Sequence, residues 1–257
     1  MNFITIATES FILNTIRLIR SLRRIYPNDS VTVYTDSDSI SKLLSGYDVT
    51  VRVLREINKF GVKRAKFRAY AQAAGAGGFV YLDADILVLQ PLEALIDVKD
   101  FTACRDDLTE CPFISDSSRP WEFDTHLCGR KYFNSGVFAV PAGFSAFFTA
   151  ICLDAADDEE WSRFTIPGRL YDNHFLCAKI AQHHIPINFI SEYEYNWQGF
   201  RRFGELNCYL DDNGNLRSKQ THNLLRIAHF AGIRDIDGYI SALPTEISPV
   251  LAASIGG

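Results

Sequence analysis

Asp83 and Asp85 are the residues whose types and spacing most directly suggest chemistry. They flank Ala84, and apolar runs at 79–82 and 86–89 enclose the trio. Such runs read as buried strand, so the two carboxylates leave a core together. Residues i and i+2 of extended backbone share a face, which lets both carboxylates converge on one cation. Uncompensated carboxylates at the edge of a core are costly. A hard divalent ion such as Mn²⁺ or Mg²⁺ relieves that cost. A solvated turn is the alternative, because Asp is common in turns. The pair alone does not separate the two.

The elements that must position the pair alternate between strand and helix patterns. Residues 3–7 read as a buried strand, followed by a helix with Ile12, Ile16, Ile19 and Leu22 on one stripe. After the Pro27-Asn28-Asp29 turn come a strand at 31–35 and another in which Val49, Val51 and Val53 alternate with polar residues. Residues 63–74 read as a helix with Phe67, Tyr70, Ala71 and Ala74 on one side, and Gly75 stands where a C-cap is expected. Residues 106–130 are polar and proline-containing, as in a loop or flap. Further on, strands are expected at 135–140, 187–190 and 225–229, and helices at 143–156 and 171–182. The pattern implies an α/β fold, a Rossmann-like, mostly parallel central sheet with helices on both faces. Ligands of such sheets bind beyond the carboxyl ends of the strands, and Asp83 and Asp85 follow a strand end.

Composition narrows the class. A net charge of −5 gives no support for a nucleic-acid surface. The basic clusters at 17–24 and 63–68 fall on helix-like stretches, where a solvated face is their ordinary role. No apolar run is long enough to span a bilayer, and Met1-Asn2-Phe3-Ile4-Thr5 enters a strand pattern at once, without a signal peptide. The six cysteines form no CxxC pair and no metal-ligand rhythm. The expectation is a cytoplasmic protein with reduced thiols, with peripheral membrane association left open. No repeat or linker divides the chain, so one domain over residues 1–257 is expected.

Four more segments complete the pattern: Thr5-Ile6-Ala7-Thr8, Tyr132-Phe133-Asn134-Ser135-Gly136-Val137, Asp172-Asn173 opening a helix, and Ile227-Ala228-His229-Phe230-Ala231-Gly232. With the acid pair, and in this order, they resemble glycosyltransferases of the A-type fold (GT-A, nucleotide-diphospho-sugar transferases). The likeness is in particular to the family containing glycogenin and the bacterial lipopolysaccharide galactosyltransferases, glycosyltransferase family 8. It covers residue 3 to about residue 232. An isolated Asp-x-Asp is a weak motif, whereas the ordered set is much more specific.

The resemblance implies a hexosyltransferase that moves a sugar from a nucleoside-diphosphate sugar, UDP-linked, to a carbohydrate or glycoconjugate acceptor with retention of configuration. It implies a nucleotide-binding half at about 1–105 and an acceptor and sugar half at about 106–257. Asp83, Asp85 and His229 would hold Mn²⁺, or Mg²⁺, against the donor diphosphate. Ala7 and Thr8 would lie along the nucleoside. Lys66, with Arg68 as rival, would face the diphosphate or sugar, and Ala84, Asn134, Ser135 and Gly232 would line the donor. Asp172 and Asn173 would stand at the sugar's reacting face, Asn173 replacing a commoner Gln with a reach shorter by one methylene. The family continues His-Phe-x-Gly to a lysine that grips the diphosphate. Here Ile233-Arg234-Asp235 follows, and Arg234 is the expected substitute.

Competing readings stay open at this level. An aspartyl-nucleophile phosphatase also carries Asp-x-Asp after a strand, but on its first strand and followed by a small hydroxyl residue; Ile86 and Leu87 follow here. A nucleotide-sugar or glycan binding protein that kept the fold and lost turnover is the other alternative. Tyr193, Tyr195, Trp197 and Phe200 would stack on an acceptor ring or simply fill a core.

Overall fold

A computed structural model of the chain describes residues 1–105, 132–163, 171–198 and 207–255. The stretch at 106–130 expected as a loop, and Phe200, lie outside the described residues. Eleven strands are described: β1 (Asn2–Ala7), β2 (Ser30–Thr35), β3 (Thr50–Val53), β4 (Phe79–Leu82), β5 (Ile86–Val88), β6 (Phe101–Arg105), β7 (Phe133–Val140), β8 (Ile187–Ile190), β9 (Cys208–Leu210), β10 (Leu216–Ser218) and β11 (Ile227–His229). Seven of them form one sheet in the order β3-β2-β1-β4-β7-β6-β8. Only β7 runs against its neighbours β4 and β6; the other pairings in that sheet are parallel. The expected mostly parallel α/β sheet is therefore present.

The helices are α1 (Ile12–Ile25), α2 (Asp38–Leu43), α3 (Glu56–Phe60), α4 (Val62–Ala76), α5 (Ser145–Ala156), α6 (Asp158–Arg163), α7 (Tyr171–Gln182), α8 (Glu192–Tyr195), α9 (Ile236–Ser241) and α10 (Ser248–Ala253). Strand side chains alternate between faces, and two cores follow. Ile4, Ile6, Phe79 and Tyr81 pack with residues of α4, α5 and α7, such as Phe67, Tyr70, Phe148 and Phe175. Phe3, Val80 and Leu82 pack with Leu18, Ile19 and Leu22 of α1 on the other face. A third cluster joins Leu87 and Leu89 to Trp197, Phe230 and the carboxyl-terminal helices.

Three local expectations shift. Helix α1 buries Thr15, Leu18, Ile19 and Leu22, while Ile12 and Ile16 only lean against the core. Helix α4 continues through Gly75 and ends at Gly77, whose φ of 137° needs a residue without Cβ. The Val49, Val51 and Val53 alternation belongs to an edge strand, so Val53 stays exposed rather than entering a core.

Two pairings bring the chemistry-bearing residues together. Strand β5 pairs antiparallel with β11, and His229 sits opposite Ile86, beside Asp85. Strand β4 pairs with β7, and the Asp83 N–H continues that ladder by donating to the Gly136 carbonyl at 2.8 Å. Helix α1 fixes β5 from below: the Ser21 hydroxyl accepts from the Val88 N–H at 3.0 Å.

Candidate active site

A cleft of about 430 Å³ opens beyond the ends of β1 and β4. Thr8, Lys66, Asp83, Ala84, Asp85, Asn134, Ser135, Asp172, Asn173, His229 and Gly232 all line it. Ala7 does not; it is buried behind the cleft wall. Arg234 is exposed and stands off the cleft walls. Of Lys66 and Arg68, only Lys66 lines the cleft, since residues two apart on α4 face different ways. Arg68 points outward to Glu56 at 3.6 Å.

One oxygen each from Asp83 and Asp85 and one nitrogen of His229 lie within 4.8 Å of one another. His229 Nε2 is 3.3 Å from Asp85 Oδ1 and 4.0 Å from Asp83 Oδ2. The other ring nitrogen, Nδ1, donates to the Oδ1 of the buried Asn196 at 2.6 Å. That bond fixes the ring so that Nε2 is the nitrogen facing the carboxylates, the atom that would take a metal. Asp85 Oδ2 accepts from the Gly232 N–H at 2.7 Å, which leaves Oδ1 for the cleft. Burial pushes the Asp85 carboxyl up, but His229 and the Gly232 N–H outweigh it and hold its pKa below the ordinary value. Two carboxylates and an imidazole nitrogen are a donor set that fits a divalent cation.

Opposite this triplet, Lys66 bridges two acids. Its Nζ donates to Asp83 Oδ1 at 2.9 Å and to Asp172 Oδ2 at 2.7 Å. Burial alone would lower the Lys66 pKa, yet Asp172 and Asp83 hold it well above the usual lysine value. Asp172, at the start of α7, is pushed up by burial and pulled down further by Lys66, so it stays a carboxylate. The buried Tyr81 hydroxyl donates to Asp83 Oδ1 at 2.6 Å; burial and then Asp83 raise its pKa well above the usual tyrosine value, keeping it a donor. Asn173 accepts from the Ser135 N–H and donates to the Tyr132 hydroxyl at 2.9 Å, tying α7 to β7. Tyr195 and Trp197 are buried, Trp197 in the third cluster, so core packing is their role.

No family model matches the sequence, and no curated protein sequence matches it. Solved structures do match. A crystal structure of an active-site mutant of LgtC aligns over 100% of this chain and 97% of that one, with a TM-score of 0.63 and 15% identity. Galactosyltransferase LgtC in complex with donor and acceptor sugar analogs gives a TM-score of 0.61 at 13% identity over the same shares. The glycosyltransferase GlyE of Streptococcus pneumoniae TIGR4 gives 0.55 at 13% identity, over 98% of this chain and 62% of that one. The chain has the GT-A glycosyltransferase fold.

Within this GT-A fold, sequence reasoning gave no role to several residues of the cleft or its support: Lys63, Tyr81, Gly136 and Asn196. Nothing local in the sequence marks Asn196, whereas Gly136 was in view within the Phe-Asn-Ser-Gly-Val run. A Cβ at Gly136 would lie 2.6 Å from His229 Cε1 and 2.8 Å from both Asn134 Oδ1 and Asp83 Oδ2. Gly136→Ala is therefore expected to destabilise the protein by about 1–3 kcal/mol through overpacking and to weaken divalent-cation affinity. Urea unfolding and a Mn²⁺ titration read the two effects; unaltered cation affinity would show that the crowding does not reach the triplet.

Proposed function

We propose that this chain is a Mn²⁺-dependent hexosyltransferase that takes its sugar from a UDP-linked donor, passes it to a carbohydrate or glycoconjugate acceptor, and retains the anomeric configuration. The convergence of Asp83, Asp85 and His229 at the floor of a cleft in a GT-A fold carries this reading. The mixed carboxylate and imidazole set suits Mn²⁺ better than Mg²⁺. When bound there, the metal supplies stabilisation of the charge that grows on the departing diphosphate.

The chain's own residues do the rest. Asp172 stays ionised beside Lys66, so it accepts a hydrogen bond from a sugar hydroxyl and offers negative charge to an electron-poor anomeric carbon. Lys66 fixes the angle between Asp172 and Asp83, which sets where the donor sugar sits relative to the cation triplet. Asn134 and Ser135, at the start of β7, bring amide and hydroxyl groups to the same sugar. Asn173 holds that strand end in place. No second carboxylate stands out as a base, and the leaving diphosphate takes the acceptor's proton, as the resemblance implies.

A panel of nucleoside-diphosphate sugars incubated with the purified protein and Mn²⁺ tests the reading. One UDP-sugar should release UDP, with a chelator stopping the release and added Mn²⁺ restoring it. Turnover that persists in chelator would refute the metal assignment. Binding of UDP without turnover across the panel would favour a silent binding protein.

A further inference from the structure

We propose that Lys63 is the diphosphate-binding cation of this cleft; the assignment rests on the nucleoside-diphosphate-sugar reading above. Lys63 and Lys66 are one turn apart on α4 and so share a face, and both line the cleft. Lys66 already sits within hydrogen-bond distance of two carboxylates. Lys66 and a divalent cation together neutralise the three cleft carboxylates, Asp83, Asp85 and Asp172. A diphosphate then brings at least two further negative charges. Among the described residues, Lys63 is the one other lysine or arginine on the cleft walls. Arg234 stands off those walls and Arg68 faces Glu56.

The position suits the task. Lys63 is half-buried on the first turn of α4 and forms part of the cleft wall. Its charge is also felt at the cleft floor, where it adds to the forces that lower the Asp172 pKa. A cation on the first turn of α4 would take over the grip that the late lysine supplies in the family this sequence resembles.

The test is calorimetry on the full chain with Mn²⁺ present, using UDP as probe, with uridine followed by saturation-transfer NMR. Lys63→Met should weaken UDP binding about 10- to 100-fold, the loss expected for a charged hydrogen bond, and leave uridine binding unchanged. Lys63→Arg should recover most of the affinity. Equal UDP affinity in Lys63→Met and the unaltered chain overturns the assignment of Lys63 while the donor reading stands. An unaltered chain that binds neither UDP nor any other nucleoside diphosphate overturns both.

Discussion

Asp85→Asn is expected to lower Mn²⁺-dependent turnover by at least about 10³-fold, since the cation contributes several kcal/mol to the leaving-group step and each 1.36 kcal/mol is tenfold. The substitution is chosen because it keeps shape and hydrogen bonding. Asp85 is buried, and a carboxamide oxygen can still accept from the Gly232 N–H. What disappears is the charge that faces His229 Nε2 at 3.3 Å. Asp83→Asn should be nearly as damaging for turnover, but it also takes a partner from Lys66 and so mixes a structural effect into the result. Mn²⁺ affinity measured by electron paramagnetic resonance should fall with turnover in Asp85→Asn, while the urea midpoint should change little. Full turnover in this variant would remove the triplet from the mechanism.

The sequence reported the sheet and the acid pair because both depend on local pattern. Apolar runs at 3–7, 31–35 and 79–82 became β1, β2 and β4, and Asp83 and Asp85 followed β4 into the cleft. His229 was reachable only through the resemblance; the cause of its placement is the β5–β11 register, a pairing between segments far apart in the chain. Asn196 was invisible for the same reason, because its partner lies on β11 and its own neighbours carry no pattern. Arg234 was chosen as the nearest basic residue to an expected position, but distance along a loop does not fix direction, and its side chain is exposed. For Lys63, a basic residue on a helix-like stretch, a solvated face is the ordinary expectation. Periodicity gave the face of α4 but not that the face begins at an open cleft.

Lys66→Met is expected to destabilise the protein by about 3–5 kcal/mol, the range for removing one partner of a buried ion pair. The corresponding fall in melting temperature is roughly 6–20 °C for a chain of this size. The cost does not come mainly from the lost attraction, because methionine fills similar space and is easily buried. It comes from Asp172, which is 6% exposed and would keep its charge with no ammonium beside it. The pH dependence separates this cause from simple misfit. In the unaltered chain Lys66 holds the Asp172 pKa below its ordinary value, so that carboxylate's contribution is present above the unfolded pKa and is lost as pH falls through the folded one. Without Lys66 the burial that raises the Asp172 pKa loses its main opposition, with Lys63 the remaining cation, and protonation in the folded state relieves the strain as pH drops. The stability gap between the two proteins should therefore be widest near pH 7 and narrow towards pH 4, read by urea unfolding at each pH. Asp172→Asn added to Lys66→Met should recover stability, since the uncompensated charge is then gone. A gap that ignores pH, or a double variant as unstable as the two single losses summed, would mean that Lys66 supports the fold by packing rather than by holding two acids at the cleft.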